Sequence, residues 1–162
     1  MESYYMLAEF SISLAGFTSI VIVFVQRGHK WRFVDEYRVK NAMLLSVGSA
    51  FMSFVPILLS EFEMQLSTIW KTSSLLMIIY CLVFAANRMF IYFNMDQIAR
   101  KVIPLKLIIV VMIIIMTNVI CQVSNFIVYQ KSGFFMIGIV ILLFLSFLAF
   151  LRSMFYRPDD SN

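Results

Sequence analysis

Charged side chains make up only 14% of this 162-residue chain; histidine occurs once, cysteine twice, proline three times and glycine five times. Each shortage excludes something. An ordinary globular domain carries about 25% charged residues, so the usual water-facing surface cannot be built from this composition. The single histidine, His29, has no second histidine or carboxylate at ligand spacing, which leaves a metal hydrolase or haem protein without ligands. Cys81 and Cys121 both fall inside apolar stretches, where a thiol reads as a small packing residue rather than a disulfide or metal ligand. No P-loop, GxSxG or CxxC pattern occurs. Asp35, Asp96, Asp159 and Asp160 all lie outside the apolar stretches, so the paired aspartates of an intramembrane protease are missing. The expectation is a non-enzyme with no catalytic residue, no cofactor and no metal.

What the chain does have is hydrophobic length. Apolar residues account for 62% of it, against roughly 45–50% in soluble domains. A transmembrane helix needs roughly 20 predominantly apolar residues, and five stretches meet or approach that length: Tyr4 to Val25, Ala42 to Ser60, Thr72 to Tyr92, Leu105 to Tyr129 and Phe134 to Leu151. They use nearly the whole chain, leaving no room for a separate soluble domain. The predicted fold is therefore all-α, a polytopic transmembrane helical bundle of five spans forming one integral membrane domain over residues 1–162. The alternative has four spans and treats the first stretch as an interfacial helix, because Glu9 interrupts it. That stretch has no basic leader, carries Glu2 and Glu9, and is followed by basic residues, so it is expected to be retained rather than cleaved.

Lysine and arginine in short loops stay on the cytoplasmic side. The first loop, residues 26–41, carries Arg27, Lys30, Arg32, Arg38 and Lys40; Arg88, Arg100, Lys101 and Lys106 surround the third loop, residues 93–104; the tail has Arg152 and Arg157. Lys71 and Lys131 stand alone in the other two gaps. This alternation predicts a plasma (inner) membrane protein with its N-terminus outside and its C-terminus in the cytoplasm. Trp70 and Tyr129 fall at outer span ends, where belt aromatics sit.

The first loop interleaves its cations with Trp31, Phe33, Val34 and Tyr37, and pairs Asp35 with Arg38 and Glu36 with Lys40 at helical spacing. It reads as an interfacial amphipathic helix running into the second span. Arg27, Lys30, Trp31, Arg32 and Arg38 are its candidates for contact with anionic headgroups or a cytosolic protein partner; no nucleic acid is expected.

Ionisable and amide groups at membrane depth are the default functional candidates. Glu9, Ser13 and Gly16 lie along one helical stripe, and Ser11, Ala15 and Ser19 form a second row of small residues suited to close packing. In the second span Ser46, Ser49, Ser53, Pro56 and Ser60 share one face, as a packing surface or the lining of a wet path. Asn118, Gln122 and Asn125 share a face in the outer half of the fourth span. There they are positioned to meet Glu9 or to pair between subunits. Arg88 closes the third span and is expected to snorkel outward.

The sequences Ala8-Glu9-Phe10 and Ala15-Gly16-Phe17, then Trp31, Asp35 and Arg38, and Pro56 in the next span, resemble a loose group of small, uncharacterised bacterial polytopic membrane proteins. The resemblance covers the first 60 residues by motif and the remainder by hydropathy, and implies no activity. Two functions are consistent with these features. The first is a small homo-oligomeric channel for an ion or small solute, with Glu9, Ser13, Ser46, Ser49, Ser53, Asn118, Gln122 and Asn125 along the path. The second is a non-conducting anchor or sensor subunit that docks a cytosolic partner through its basic loops, in a defence or signalling module.

Overall fold

A computed structural model of the chain describes the backbone of residues 2–26 and 33–155, with side chains described for 2–20, 36–100 and 103–153. Among these residues the chain is helical almost throughout: α1 (Glu2–Gln26), α2 (Phe33–Glu61), α3 (Leu66–Phe93), α4 (Gln97–Val102), α5 (Leu105–Ser124), a π-helical turn (Asn125–Tyr129) and α6 (Ser132–Phe155). Four segments, Glu36–Glu61, Leu66–Phe93, Leu105–Tyr129 and Ser132–Ser153, are long and apolar enough to cross a membrane, the architecture of a multi-pass membrane protein. They correspond to the second to fifth stretches seen in the sequence.

The helices run long because little interrupts them, and they stop where local chemistry offers the backbone another partner. Pro56 lies inside α2, fully buried, where its missing N–H leaves one carbonyl a turn earlier without its helical donor. The turn into α3 passes through Glu63 in the left-handed region (φ 54°), with the Glu63 N–H donating to Ser60 O at 3.1 Å. At the end of α3 the Asn94 side-chain amide donates to Phe90 O at 2.8 Å. Asp96 caps α4 by accepting from the Ala99 N–H at 2.9 Å. Pro104 then precedes α5, where a residue without an N–H costs least. At the far end of α5 the π turn closes with Gln130 N donating to Asn125 O at 2.9 Å, and Gln130 adopts φ 50° to reverse the chain.

Consecutive long helices are antiparallel. The Tyr4 hydroxyl donates to Ser132 O at 2.8 Å, and the Tyr4 ring lies 5.7 Å from Trp70 and 6.1 Å from Phe135. The starts of α1, α3 and α6 therefore meet at one end of the bundle. Halfway along, Ser11 Oγ and Ser49 Oγ stand 3.2 Å apart, and towards the other end Phe17 packs on Phe150 with centroids 5.5 Å apart. These three levels of contact align α1 with the long axis of the bundle.

Two apolar clusters form the core. The larger runs from the Tyr4, Trp70 and Phe135 rings through Met77, Ile115, Ile139 and Leu142, and the smaller gathers Tyr37, Tyr92, Met95, Ala99, Ile103 and Ile108 at the opposite end. Trp70, expected as a belt aromatic, is instead 7% exposed in the first cluster, whereas Tyr129 is exposed and stacks on Phe134 at 4.3 Å. The outer surface is apolar, with Phe10, Phe51, Ile79, Val83, Phe90, Ile113, Ile120 and Phe144 all exposed, as lipid-facing helices require.

Candidate functional site

The polar residues named from the sequence separate into three sets. The first is a seam of small hydroxyls between α1, α2 and α6. Ser46, Ser49 and Ser53 are fully buried, as a single helical face with a period near 3.5 residues implies. Each hydroxyl is engaged: Ser46 donates to Ala42 O at 3.0 Å, Ser53 to Ser49 O at 2.9 Å, and Ser49 meets Ser11 across the helix pair. Ser146 on α6, which no motif singles out, donates to the same Ala42 carbonyl at 2.7 Å. Small side chains permit the close approach, and the hydroxyls return to backbone carbonyls.

The second set joins α3, α5 and α6. Asn118, Gln122 and Asn125 are each fully buried on one face. Ser74 Oγ donates to Gln122 Oε1 at 3.1 Å and accepts from Asn125 Nδ2 at 2.8 Å. Gln122 Nε2 donates to Phe134 O at 3.0 Å and makes a longer contact of 3.4 Å to Asn118 Oδ1. Asn118 Nδ2 reaches Gly138 O at 3.3 Å and Cys81 Sγ at 3.7 Å, while Asn125 Oδ1 accepts from the Lys131 N–H at 2.9 Å, fixing the α5–α6 turn. A side chain at Gly138 would run into the Gln122 and Asn118 amides, so this position must lack a Cβ for the network to close. The amides thus pair within one protomer. Their expected meeting with Glu9 does not occur.

Glu9 belongs to the third set, which points away from the bundle. Ala8, Ser11 and Thr18 form the buried face of α1, and at 100° per residue Glu9, Ser13 and Gly16 fall on the exposed side. A Cβ at Gly16 would meet no atom within 4 Å. Of the small row predicted from the sequence, Ser11 is buried while Ala15 and Ser19 are half-buried.

The basic residues divide differently from expectation. Arg27, Lys30, Trp31 and Arg32 lie outside the described residues. Lys40 is exposed and pairs with Glu36. Arg38, placed by the sequence at a partner or lipid surface, is 5% exposed. Arg88 does not snorkel: it is 4% exposed, with its guanidinium carbon 5.2 Å from the Phe84 ring centroid and 5.6 Å from that of Tyr37. Tyr37 reaches Arg88 because α2 begins before the apolar run does. No family model, no curated protein and no solved structure matches this chain.

Proposed function

We propose that this is a five-span membrane protein that assembles as a homo-oligomer through α1 and passes small cations along the subunit contacts. The observation that carries it is the outward stripe of Glu9, Ser13 and Gly16 in a helix that lies parallel to the bundle axis. The 25 residues of α1 extend about 37 Å at 1.5 Å per residue, enough to cross a hydrocarbon core of about 30 Å. Contacts at both ends and the middle of α1 favour a fifth span over an interfacial helix, which would lie across one end of the bundle.

Glu9 then stands roughly 10 Å from the start of α1 by helical rise, among exposed Met6, Phe10 and Ile12. A carboxylate facing hydrocarbon is costly and is normally turned towards protein or water. A second copy of α1 supplies both, because the small residues Ser13 and Gly16 allow the helices to approach. The hydroxyl and amide sets inside the protomer are engaged with one another and with backbone carbonyls, so a wet route is easier between protomers than through one.

The test is reconstitution of the purified protein into liposomes, with its stoichiometry measured in detergent. An oligomer whose potassium flux drops about ten-fold or more in Glu9→Gln supports the proposal. A monodisperse monomer contradicts assembly, and a flux-silent oligomer contradicts conduction.

A further inference from the structure

Near the end of the bundle that carries Arg38, Arg88 and Arg152, a cavity of about 180 Å³ lies between α2, α3, α5 and α6. A cavity of about 150 Å³ already holds a benzene molecule, so this one has room for a headgroup-sized ligand. Apart from Tyr37, its polar lining is three arginines and Asn41, with no acidic residue among the described residues that line it. The remaining walls are aliphatic or aromatic, and they continue to Val110 and Leu148, both exposed, on neighbouring faces of α5 and α6. The cavity therefore leads from a basic interior to the lipid-facing surface.

Two buried groups within it lack counterparts. Arg88 Nε has no hydrogen-bond partner, and the guanidinium stands beside the Tyr37 and Phe84 rings. Asn41 Oδ1, also buried, has no donor. A buried guanidinium N–H without an acceptor is costly, as is a buried carbonyl oxygen without a donor. A ligand that satisfies both offers an anionic oxygen to Arg88 and a hydroxyl to Asn41, with apolar substance along α5 and α6. Guanidinium groups match phosphate oxygens in plane and spacing, and basic pockets between transmembrane helices suit anionic lipid headgroups.

We infer that this cavity binds the headgroup of an anionic glycerophospholipid, with the phosphate at Arg88, a headgroup hydroxyl at Asn41, and the acyl chains leaving between α5 and α6. A soluble phosphate ion would share the Arg88 chemistry but would leave the aliphatic wall facing water. Arg88 lies five residues before the end of α3 at Phe93, or roughly 7–8 Å along the axis, a depth that a headgroup reaches from the interface. The site uses only the packing of α2, α3, α5 and α6 and does not depend on assembly through α1.

The experiment measures thermal unfolding of the full chain in a neutral detergent against added dioctanoyl phosphatidylglycerol, dioctanoyl phosphatidylcholine or sodium phosphate, with native mass spectrometry to count bound lipid. The expected result is saturable stabilisation and one retained lipid per protomer with phosphatidylglycerol alone. Arg88→Gln should weaken apparent affinity about ten-fold or more, the scale of one charge-assisted hydrogen bond. Equal stabilisation by the two lipids overturns the charge basis, and a full effect from phosphate overturns the lipid as its source. Should Arg88→Gln fail to fold, Ala149→Phe decides, since it fills the cavity from α6 and leaves the arginine in the sequence. Undiminished phosphatidylglycerol binding by that variant overturns the site.

Discussion

Replacing Gln122 by leucine removes the centre of the buried amide network while nearly preserving volume, which isolates the polar contribution from cavity formation. Gln122 makes two interhelical hydrogen bonds, to Ser74 at 3.1 Å and Phe134 O at 3.0 Å, and one longer contact within α5 to Asn118 at 3.4 Å. Interhelical hydrogen bonds in membrane proteins average about 0.6 kcal/mol and reach about 1.7 kcal/mol, and an i,i+4 amide pair adds about 0.3 kcal/mol. The expected loss is thus about 1.5 kcal/mol, and about 3.7 kcal/mol if both interhelical bonds lie at the upper limit. Ser74 still accepts from Asn125, but its hydroxyl loses its acceptor, and the Phe134 carbonyl and Asn118 Oδ1 lose a donor. Asn118→Leu should cost less, because its contacts are longer, 3.3 Å to Gly138 O and 3.7 Å to Cys81 Sγ. The assay is reversible unfolding in mixed micelles titrated with an anionic detergent. Trp70 fluorescence in a Trp31→Phe background reports on the aromatic cluster at that end of the bundle. Unchanged stability in Gln122→Leu together with altered ion flux would refute the packing role, because it would mean that the amide faces water.

The glycines give contrasting outcomes. A methyl group at Gly48 would coincide with the Tyr80 ring, whose hydroxyl donates to Leu44 O at 2.6 Å. Gly48→Ala should therefore lose roughly 1–3 kcal/mol in the same titration, and Tyr80→Leu in the same chain should restore part of it. Failure of that rescue would contradict the close approach of α2 and α3. At Gly16, where nothing lies within 4 Å, Gly16→Leu should leave protomer stability within about 0.5 kcal/mol while dissociating the oligomer, as read by light scattering in detergent.

The sequence made the helices legible because long apolar runs have few states available in lipid, and every backbone polar group must be satisfied within the segment. The shared faces of Ser46, Ser49 and Ser53 and of Asn118, Gln122 and Asn125 followed from helical spacing, and burial agrees with both. Which partner each face meets was not legible. The third span contributes Ser74, which sits beside Ser73 in an otherwise unremarkable run, and the carbonyls of Phe134 and Gly138 carry no side-chain signal at all. A contact between Glu9 and the α5 amides was open from polarity, but α1 carries small or polar residues on two rows, Glu9, Ser13 and Gly16 and Ser11, Ala15 and Ser19, so the pattern could not tell which side faces the bundle. The buried rows Ala8, Ser11 and Thr18 decide it. Arg88 was expected to snorkel because snorkelling depends only on a nearby interface. One of the two rings beside it, Tyr37, is fifty-one positions away in sequence and on another helix.

The central claim is that α1 crosses the membrane with the other four long helices, so that the two ends of the chain lie on opposite faces. Single cysteines introduced as Ser3→Cys and Ser161→Cys, in a chain with Cys81 and Cys121 replaced by alanine, can be probed in intact cells with a membrane-impermeant maleimide before and after permeabilisation. The expected result is labelling at position 3 in intact cells and at position 161 only after permeabilisation. Protection of both positions until permeabilisation would contradict the fifth crossing.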